Sequence, residues 1–217
     1  MIWRWSGRLC DIRLAATESL RACLCFPDRA KARRFYFAPH NNKSITATSK
    51  MELKYRYGTK DDLQDLKGLA IKSWTPFREQ LTEENWASLK ETISNDKTYQ
   101  DLMGQSTCMV CLTDKDEIIG MAFLVPNGNP TDIYLKEWSY IRFVSVAPEF
   151  GGQGIGRKLT TMCIDKAKEN GEKTIALHTS EIMDKARYIY ESLGFKILRE
   201  IDQRLRKRYW LYKLDLD

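Results

Sequence analysis

The chain of 217 residues has no uninterrupted apolar run approaching the roughly twenty residues that span a bilayer. Its basic start is not followed by the apolar core of at least about seven residues that a secretory signal requires. We therefore expect its six cysteines to stay reduced, as is usual in the cytosol. The sequence predicts a cytoplasmic protein that is neither exported nor bound to a membrane.

Ligands for a metal or thiol-redox centre are also scarce. The chain has two histidines, and its Cys-x-x-Cys pair, Cys108 and Cys111, has no second pair nearby. We predict a strand there, in which residues three apart point to opposite faces. Two sulfurs so placed cannot converge on one metal. We predict no metal site and interpret both cysteines as buried apolar residues.

Positive charge is concentrated in residues 1–50, which carry ten Lys or Arg and three Asp or Glu. The nearly neutral remainder gives no electrostatic reason to expect nucleic-acid or membrane binding. The first segment lacks a sustained period and gives way abruptly at Met51. Such a segment is typical of an organelle transit peptide, but it also fits a start codon assigned upstream of the true one. We favour the second interpretation. We predict a poorly ordered basic extension over 1–50 and one domain over 51–217.

The most informative segment is a β-branched run followed by four glycines within six residues and then by a helix. We expect Gly151, Gly152, Gly154 and Gly156 to allow positive φ angles and the close approach of a ligand. Amide N–H groups of such a turn, and of the first turn of the helix behind it, can converge on an anion. The segment predicts a diphosphate site built largely from backbone.

Spacing argues against two other glycine-rich sites. A P-loop requires Lys and then Ser or Thr after its last glycine, whereas Gly156 is followed by Arg157 and Lys158. A dinucleotide-binding fold carries its glycines in the first βαβ unit, but these lie two-thirds of the way along the chain. An ordinary strand-to-helix turn remains an alternative, although it would not need four glycines.

The pattern over 146–156 resembles the cofactor motif of the GNAT acetyltransferase superfamily: Gln or Arg, two residues, Gly, one residue, then Gly or Ala. A second family motif, Ala-x-x-x-Tyr-Glu-x-x-Gly-Phe, matches 186–195. The resemblance covers 51–217 and implies a mixed α/β (α+β) GNAT-like fold with acetyl-CoA as cofactor. The first motif position is Gly151 here, so that a basic neighbour replaces the missing contact or the cofactor is bound more weakly.

The family's cofactor contacts, carried onto the matching positions, lie on the strand before the glycines and on the glycine loop itself. The residues that we expect to bind acetyl-CoA are Val144, Ser145, Val146, Gly151, Gly152, Gln153, Gly154, Ile155, Gly156, Arg157 and Lys158.

Three residues are candidates for proton transfer. By resemblance, Tyr190 occupies the position of the general acid that protonates the leaving thiolate, and its alternative is a structural core tyrosine. For the base we name His178, which follows a predicted strand at Thr174–Leu177 and would be neutral near pH 7. Glu137, at the start of the cofactor strand, is the second candidate. A structural hydrogen bonder and an exposed charge are their respective alternatives.

Hydrophobic periodicity places these motifs on an alternating pattern of strands and helices. We expect Thr59 to cap the first helix and Asn95 to break the second. The predicted strands are Lys54–Tyr57, Cys108–Thr113, Ile118–Val125, Tyr140–Ala147, Thr174–Leu177, Phe195–Ile201 and Tyr209–Leu214, the last two joined by a charged turn over Asp202–Arg208.

The resemblance implies an N-acetyltransferase that moves acetyl from acetyl-CoA to a primary amine of a small molecule or peptide, and it allows a homodimer. A non-catalytic acyl-CoA-binding module is one alternative. In the other, the basic segment attaches the domain to RNA or ribosomes and the acceptor is a protein amine. The expected acceptor segments, Trp74–Met103 and Asp202–Arg208, carry mixed charge and select no acceptor.

Overall fold

The computed structural model describes residues 52–216, so the predictions for 1–50 lie outside the described residues. Short 3-10 turns at Lys60–Asp62, Thr75–Gln80 and Pro148–Phe150 connect the longer elements. The helices and strands are β1 (Lys54–Tyr57), α1 (Leu63–Trp74), α2 (Glu83–Ser94), α3 (Asp96–Gln105), β2 (Thr107–Leu112), β3 (Ile118–Val125), β4 (Ser139–Val146), α4 (Ile155–Glu169), β5 (Thr174–Ser180), α5 (Asp184–Ser192), β6 (Lys196–Arg204) and β7 (Lys207–Asp215).

One sheet in this part of the chain has the strand order β1-β2-β3-β4-β5-β7-β6. Every neighbouring pair is antiparallel except β4 and β5, which are parallel. Helices α1 and α3 pack against β3 on one face, and α4 packs against it on the other. Because both faces are covered, every residue of β3 is buried. The mixed α/β fold predicted from the sequence is confirmed.

The start of α1 is held by a capping box. Thr59 precedes the short turn that leads into the helix, and its N–H donates to Asp62 Oδ2 at 2.7 Å. The guanidinium of Arg56 donates to both oxygens of Asp62, at 2.7 and 2.8 Å. Thr59 therefore caps the 3-10 turn that runs into α1, whereas the N-cap of α1 itself is Asp62, whose carboxylate ties β1 to the helix.

The predicted break in the second helical segment is also confirmed. Asn95 has an extended backbone and its Oδ1 accepts from the Lys97 N–H at 2.9 Å, so that one helix ends and α3 begins. Below this junction, the buried hydroxyl of Tyr99 donates to the carbonyl of Ile93 at 2.9 Å. That bond holds α3 against the end of α2.

The sheet differs from the sequence-based expectation at three strand ends. β5 continues to Ser180, and β6 and β7 extend until a two-residue turn, Leu205–Arg206, joins them. Both turn residues have φ of 55°, as in the mirror-image turns that match strand twist. The apolar pattern stops before the strand does, because β6 is an exposed edge strand. Its charged residues belong to the strand through hydrogen-bonded pairing with β7 and not through burial.

Candidate active site

The central cleft forms where the two parallel strands separate. β4 and β5 pair only at Ser139 with Ile175 and at Tyr140 with Ala176, and beyond these pairs the described strands are not joined. The Ala147 N–H donates to Ile119 O at 2.8 Å, on the β3 side. Because N–H groups alternate in direction along a strand, the N–H of Val146 points the opposite way, into the cleft.

A β-bulge bends β4 as it enters the cleft. Phe123 pairs with Arg142 and Met121 with Ser145, so two residues of β4 lie opposite one of β3. Phe143 has φ of 52°, an uncommon conformation for a bulky side chain. Edge-on contacts with the rings of Tyr99 (5.8 Å) and Phe123 (6.3 Å) hold it in place. The bulge thus opens the strand at the point where the cleft begins.

The glycine loop follows β4 and starts α4. Gly152 and Gly154 have φ of 79° and 80°, as expected, whereas Gly151 has φ of −60° and Gly156 lies inside the helix with no positive φ. The prediction of positive φ was therefore wrong for these last two. At Gly151 a Cβ would lie 3.0 Å from the Pro148 carbonyl oxygen, so close approach of backbone, rather than φ, explains that glycine.

No side chain caps the start of α4, where Gly154 is the N-cap. The first amides of the helix are thus available to an anion, and the positive end of the helix dipole lies among them. Arg157 lies in the first turn of the helix and donates to the Ser192 hydroxyl of α5. The side chain of Ile155 is buried in the core.

Two cavities meet in the cleft. The loop cavity, about 660 Å³, lies between the glycine loop and α5. The acceptor cavity, about 760 Å³, lies between β4, β5, the α1–α2 region and the β6–β7 turn. Residues that line both are Val144, Val146, Asp184, Lys185, Ala186 and Tyr190.

Tyr190 lies at this junction, on the buried face of α5. Its side chain is 6% exposed and packs edge-on against Phe195, with ring centroids 6.0 Å apart. Burial raises the pKa of the Tyr190 hydroxyl, and the nearby Cys163 adds to this effect. The hydroxyl is therefore protonated at neutral pH and can donate a proton or a hydrogen bond to either cavity.

His178 is brought into the acceptor cavity, but from within β5 instead of beyond its end. Its Nδ1 forms a hydrogen bond with the Tyr134 hydroxyl at 2.6 Å. Burial, with the positive charges of Arg204 and Arg142, lowers the pKa of His178 to about 3. The imidazole is neutral near pH 7, as expected, yet it is too weak a base to match the role that we gave it.

Glu137 is not brought to the site. It is exposed in the turn before β4 and lines neither cavity. The eight residues of β4, about 25 Å of strand, separate it from the glycine loop. Sequence order placed Glu137 near the cofactor strand, but at the wrong end of it.

Aromatic side chains line the acceptor cavity or support its lining. Tyr134 comes from the loop before β4 and stacks on Tyr140, with ring centroids 4.0 Å apart. Trp74 and Phe77, in edge contact at 5.7 Å, come from the region between α1 and α2. Trp74 and Phe77 lie in the segment Trp74–Met103 that was expected to border the acceptor, whereas no motif marked Tyr134, which supports His178 only through contact between distant segments.

Among residues 52–216, no cluster of three His, Cys, Asp or Glu side chains could hold a metal ion. Cys108 and Cys111 are buried, free thiols of β2. No helix within the same range is both long and apolar enough to cross a membrane.

Comparison with known proteins gives three kinds of match. The family model "Acetyltransferase (GNAT) family" matches residues 70–195. Among curated proteins, human N-acetyltransferase 8B is 30% identical over 129 residues, 59% of this chain and 52% of its own. The probable N-acetyltransferase camello of Xenopus laevis is 30% identical over 95 residues, 44% and 41% of the respective chains. The chain thus spans about half the length of these curated relatives.

Solved structures share the fold at low sequence identity. The PaiA N-acetyltransferase of Thermoplasma acidophilum, in complex with coenzyme A, has a TM-score of 0.62 at 16% identity and covers 76% of this chain and 100% of its own. A chain of the NatC complex bound to Gag peptide and CoA has a TM-score of 0.59 at 20% identity, covering 77% and 100%. These likenesses extend over most of the described residues.

Proposed function

The chain belongs to the GNAT acetyltransferase family, and from that premise we propose that it transfers an acetyl group from acetyl-CoA directly to a primary amine of a small molecule or peptide. Its cofactor is acetyl-CoA, the donor of the family. The observation that carries the proposal is the meeting of the two cavities at Tyr190, one beside a backbone anion site and the other large enough to hold an amine acceptor.

The residues present fit coenzyme A. The positive-φ glycines and uncapped first turn of α4 suit a diphosphate, which backbone amides bind without a basic side chain. The unpaired edge of β4 at Val144–Val146 suits the amides of the pantetheine arm, because free backbone groups need partners. Residues of the glycine loop and the start of α4 complete the proposed cofactor site, whereas Gln153 and Lys158 line neither cavity. Those that line the loop cavity are Gly151, Gly152, Gly154, Ile155, Gly156 and Arg157.

Bound acetyl-CoA supplies an activated thioester and a thiolate leaving group. The Val146 N–H, directed into the cleft, would donate a hydrogen bond to the carbonyl oxygen as negative charge develops there. The protonated Tyr190 hydroxyl would donate its proton to the departing sulfur, and the proton that the attacking nitrogen loses as the amide forms would return the tyrosinate to its protonated state. The surrounding apolar side chains exclude water, which strengthens both interactions.

Coenzyme A binding and thiol release together test the proposal. We expect calorimetric heat on adding coenzyme A, and free thiol from acetyl-CoA only when a suitable amine is present. Binding without thiol release at any amine concentration would favour the non-catalytic module instead. Absence of binding by the folded protein would refute the cofactor site itself.

Tyr190→Phe tests the proton donor separately from binding. We expect turnover to fall by about 10²- to 10⁴-fold, the usual contribution of general acid catalysis, with coenzyme A affinity nearly unchanged. Tyr57→Phe, which removes a hydroxyl from a half-exposed side chain on β1, is the matched control and should keep full turnover. Equal activity of Tyr190→Phe and wild type would remove Tyr190 from the mechanism.

A further inference from the structure

Two arginines from distant parts of the chain border the acceptor cavity. Arg142 lies on β4 beside the bulge, and Arg204 ends β6. The bulge places the Arg142 guanidinium 5.5 Å from the centroid of the Phe143 ring, so that these successive side chains lie together instead of on opposite faces. Among the described residues, Arg142 makes no ion pair.

Arg204 has a partner that can be exchanged. Its guanidinium lies 3.2 Å from Asp132 Oδ2, but that aspartate is 74% exposed. Ion pairs of this kind at a surface contribute little free energy, because water solvates both groups well. An anion inside the cavity can therefore compete for Arg204.

The two positive charges act on the same part of the cavity. Burial is the largest cause of the lowered pKa of His178 on β5, and the positive charges of Arg204 and Arg142 lower that pKa further. They also oppose the rise that burial causes in the pKa of Tyr134. His178, Arg142 and Arg204 all line the acceptor cavity, and Tyr134 is buried behind His178, to which it is hydrogen-bonded.

Inside the acceptor cavity no carboxylate of residues 52–216 balances them on that side: Asp132, which pairs with Arg204 and partly offsets the lowering of the pKa of His178, is exposed and does not line the cavity. Asp184 is the one carboxylate lining the acceptor cavity among the described residues, and it lies on the α5 side that this cavity shares with the loop cavity. It is largely exposed and lies 3.6 Å from Arg187. The wall near α1 and α2 is uncharged: it combines the apolar side chains of Trp74, Phe77 and Leu89 with neutral polar ones.

We propose that the acceptor is a primary amine that carries a carboxylate together with an apolar or aromatic group, and that Arg142 and Arg204 bind the carboxylate. The inference rests on the proposed acetyltransferase function and names its substrate class. Arginine presents a planar fork that matches a carboxylate with two hydrogen bonds. A polyamine would bring further positive charge toward two cations and is therefore disfavoured.

Matched pairs of acceptors provide the test. Initial rates of thiol release from acetyl-CoA are measured with L-phenylalanine and L-leucine, each against its own amide, and with spermidine. The amides keep the side chain and the amine but lose the carboxylate. Their amine is also less basic and so more often neutral, which favours the amide before any binding. We expect kcat/KM for each acid to exceed that for its amide by at least about tenfold, the lower end of a charge-assisted hydrogen bond.

Substitution of the arginines locates the effect. Arg142→Gln and Arg204→Gln should each lower kcat/KM for the acids by about tenfold to hundredfold, mainly through KM, and change it little for the amides. The KM for acetyl-CoA should not move. Arg206→Gln is the matched control on the same hairpin, since Arg206 is exposed, lies 3.6 Å from Glu84 and lines neither cavity.

Product binding provides a readout independent of turnover. Calorimetry on the protein loaded with coenzyme A should show N-acetyl-L-phenylalanine binding more tightly than its amide, with the difference lost in Arg142→Gln. Acetylation of amides or spermidine as efficient as that of the acids would overturn the inference and leave the proposed function standing. Failure of coenzyme A binding and of thiol release with every amine would overturn both.

Discussion

A single methyl group at Gly120 should loosen the packing between the sheet and the cofactor helix. Gly120 lies on β3 opposite Val146, directly beneath the first turn of α4. A Cβ built there would lie 2.7 Å from Ile155 Cγ2, 3.0 Å from Leu159 Cδ1 and 3.2 Å from Cys111 Cβ. The closest of these distances is shorter than real Cβ contacts, and Ile155 Cγ2 is a branch held near the helix backbone, so α4 itself must shift.

The cost of this shift follows from the packing. Overpacking of a close-packed core by one carbon typically costs 1–3 kcal/mol, so we expect Gly120→Ala to lower the free energy of unfolding by about 2 kcal/mol. For a domain of this size that corresponds to a fall in Tm of roughly 4–8 °C. Because Ile155 directly follows Gly154, movement of α4 also displaces the glycine loop, and coenzyme A should bind more weakly.

Calorimetry and urea unfolding would measure the loss. The matched control is Gly104→Ala in α3, where a Cβ meets nothing within 4 Å and φ is not positive. That substitution should raise stability by up to about 1 kcal/mol, because alanine loses less entropy in a helix. If Gly120→Ala were as stable as wild type and bound coenzyme A equally well, the close packing of α4 on β3 would be wrong.

Three further changes probe the site and its supports. The pKa of His178 is about 3 in the folded protein and about 6.5 in the unfolded chain, so the free energy of unfolding should fall by up to about 1.4 kcal/mol per pH unit below pH 6.5. In urea titrations from pH 7 to 5, His178→Gln should make this pH dependence weaker. Asp62→Asn should lower the free energy of unfolding at pH 7 by about 1–3 kcal/mol in calorimetry, because it weakens the interaction with Arg56. The hydrogen bonds from Arg56 lower the pKa of Asp62 in the folded protein, so the stabilisation is lost as pH falls through that lowered pKa. In strong acid the variant should therefore be as stable as wild type. Gly154→Ala should lower the free energy of unfolding by about 1–2 kcal/mol through backbone strain alone, since a Cβ there meets open space. Asparagine adopts positive φ more readily, so Gly154→Asn should lower thermal stability less. Equal losses in the two variants would refute the strain.

Local sequence was sufficient for most element boundaries. Asn95 breaks the helical segment because its side chain satisfies an amide of the next helix, and that interaction spans two residues. The hairpin of β2 and β3 likewise follows from apolar runs on either side of a short polar turn. Such features depend on neighbours in the chain, so they can be read without knowing the fold.

The limits of the strands, and of the edge strand above all, were harder to predict from the sequence. Arg204 lies in an exposed strand whose hydrogen-bond partner, β7, is what extends it, and nothing apolar marks its limit. His178 was expected beyond β5 because the apolar run stops at Leu177, yet pairing with Leu211 keeps it in the strand. Glu137 was named because it is near β4 in sequence, although the strand's own length removes it from the cleft.

The order of residues alone determined the glycine loop, the helix behind it and the position of Tyr190, because backbone freedom and helical spacing act over a few residues. Only the tertiary structure decided that β4 and β5 separate, that a bulge turns Arg142 toward the cleft, and that Arg204 reaches the same cavity from a hairpin far along the chain. Mixed charge in the sequence became local positive charge once folding selected which side chains face the cavity, since electrostatic interactions depend on distance in space and not along the chain.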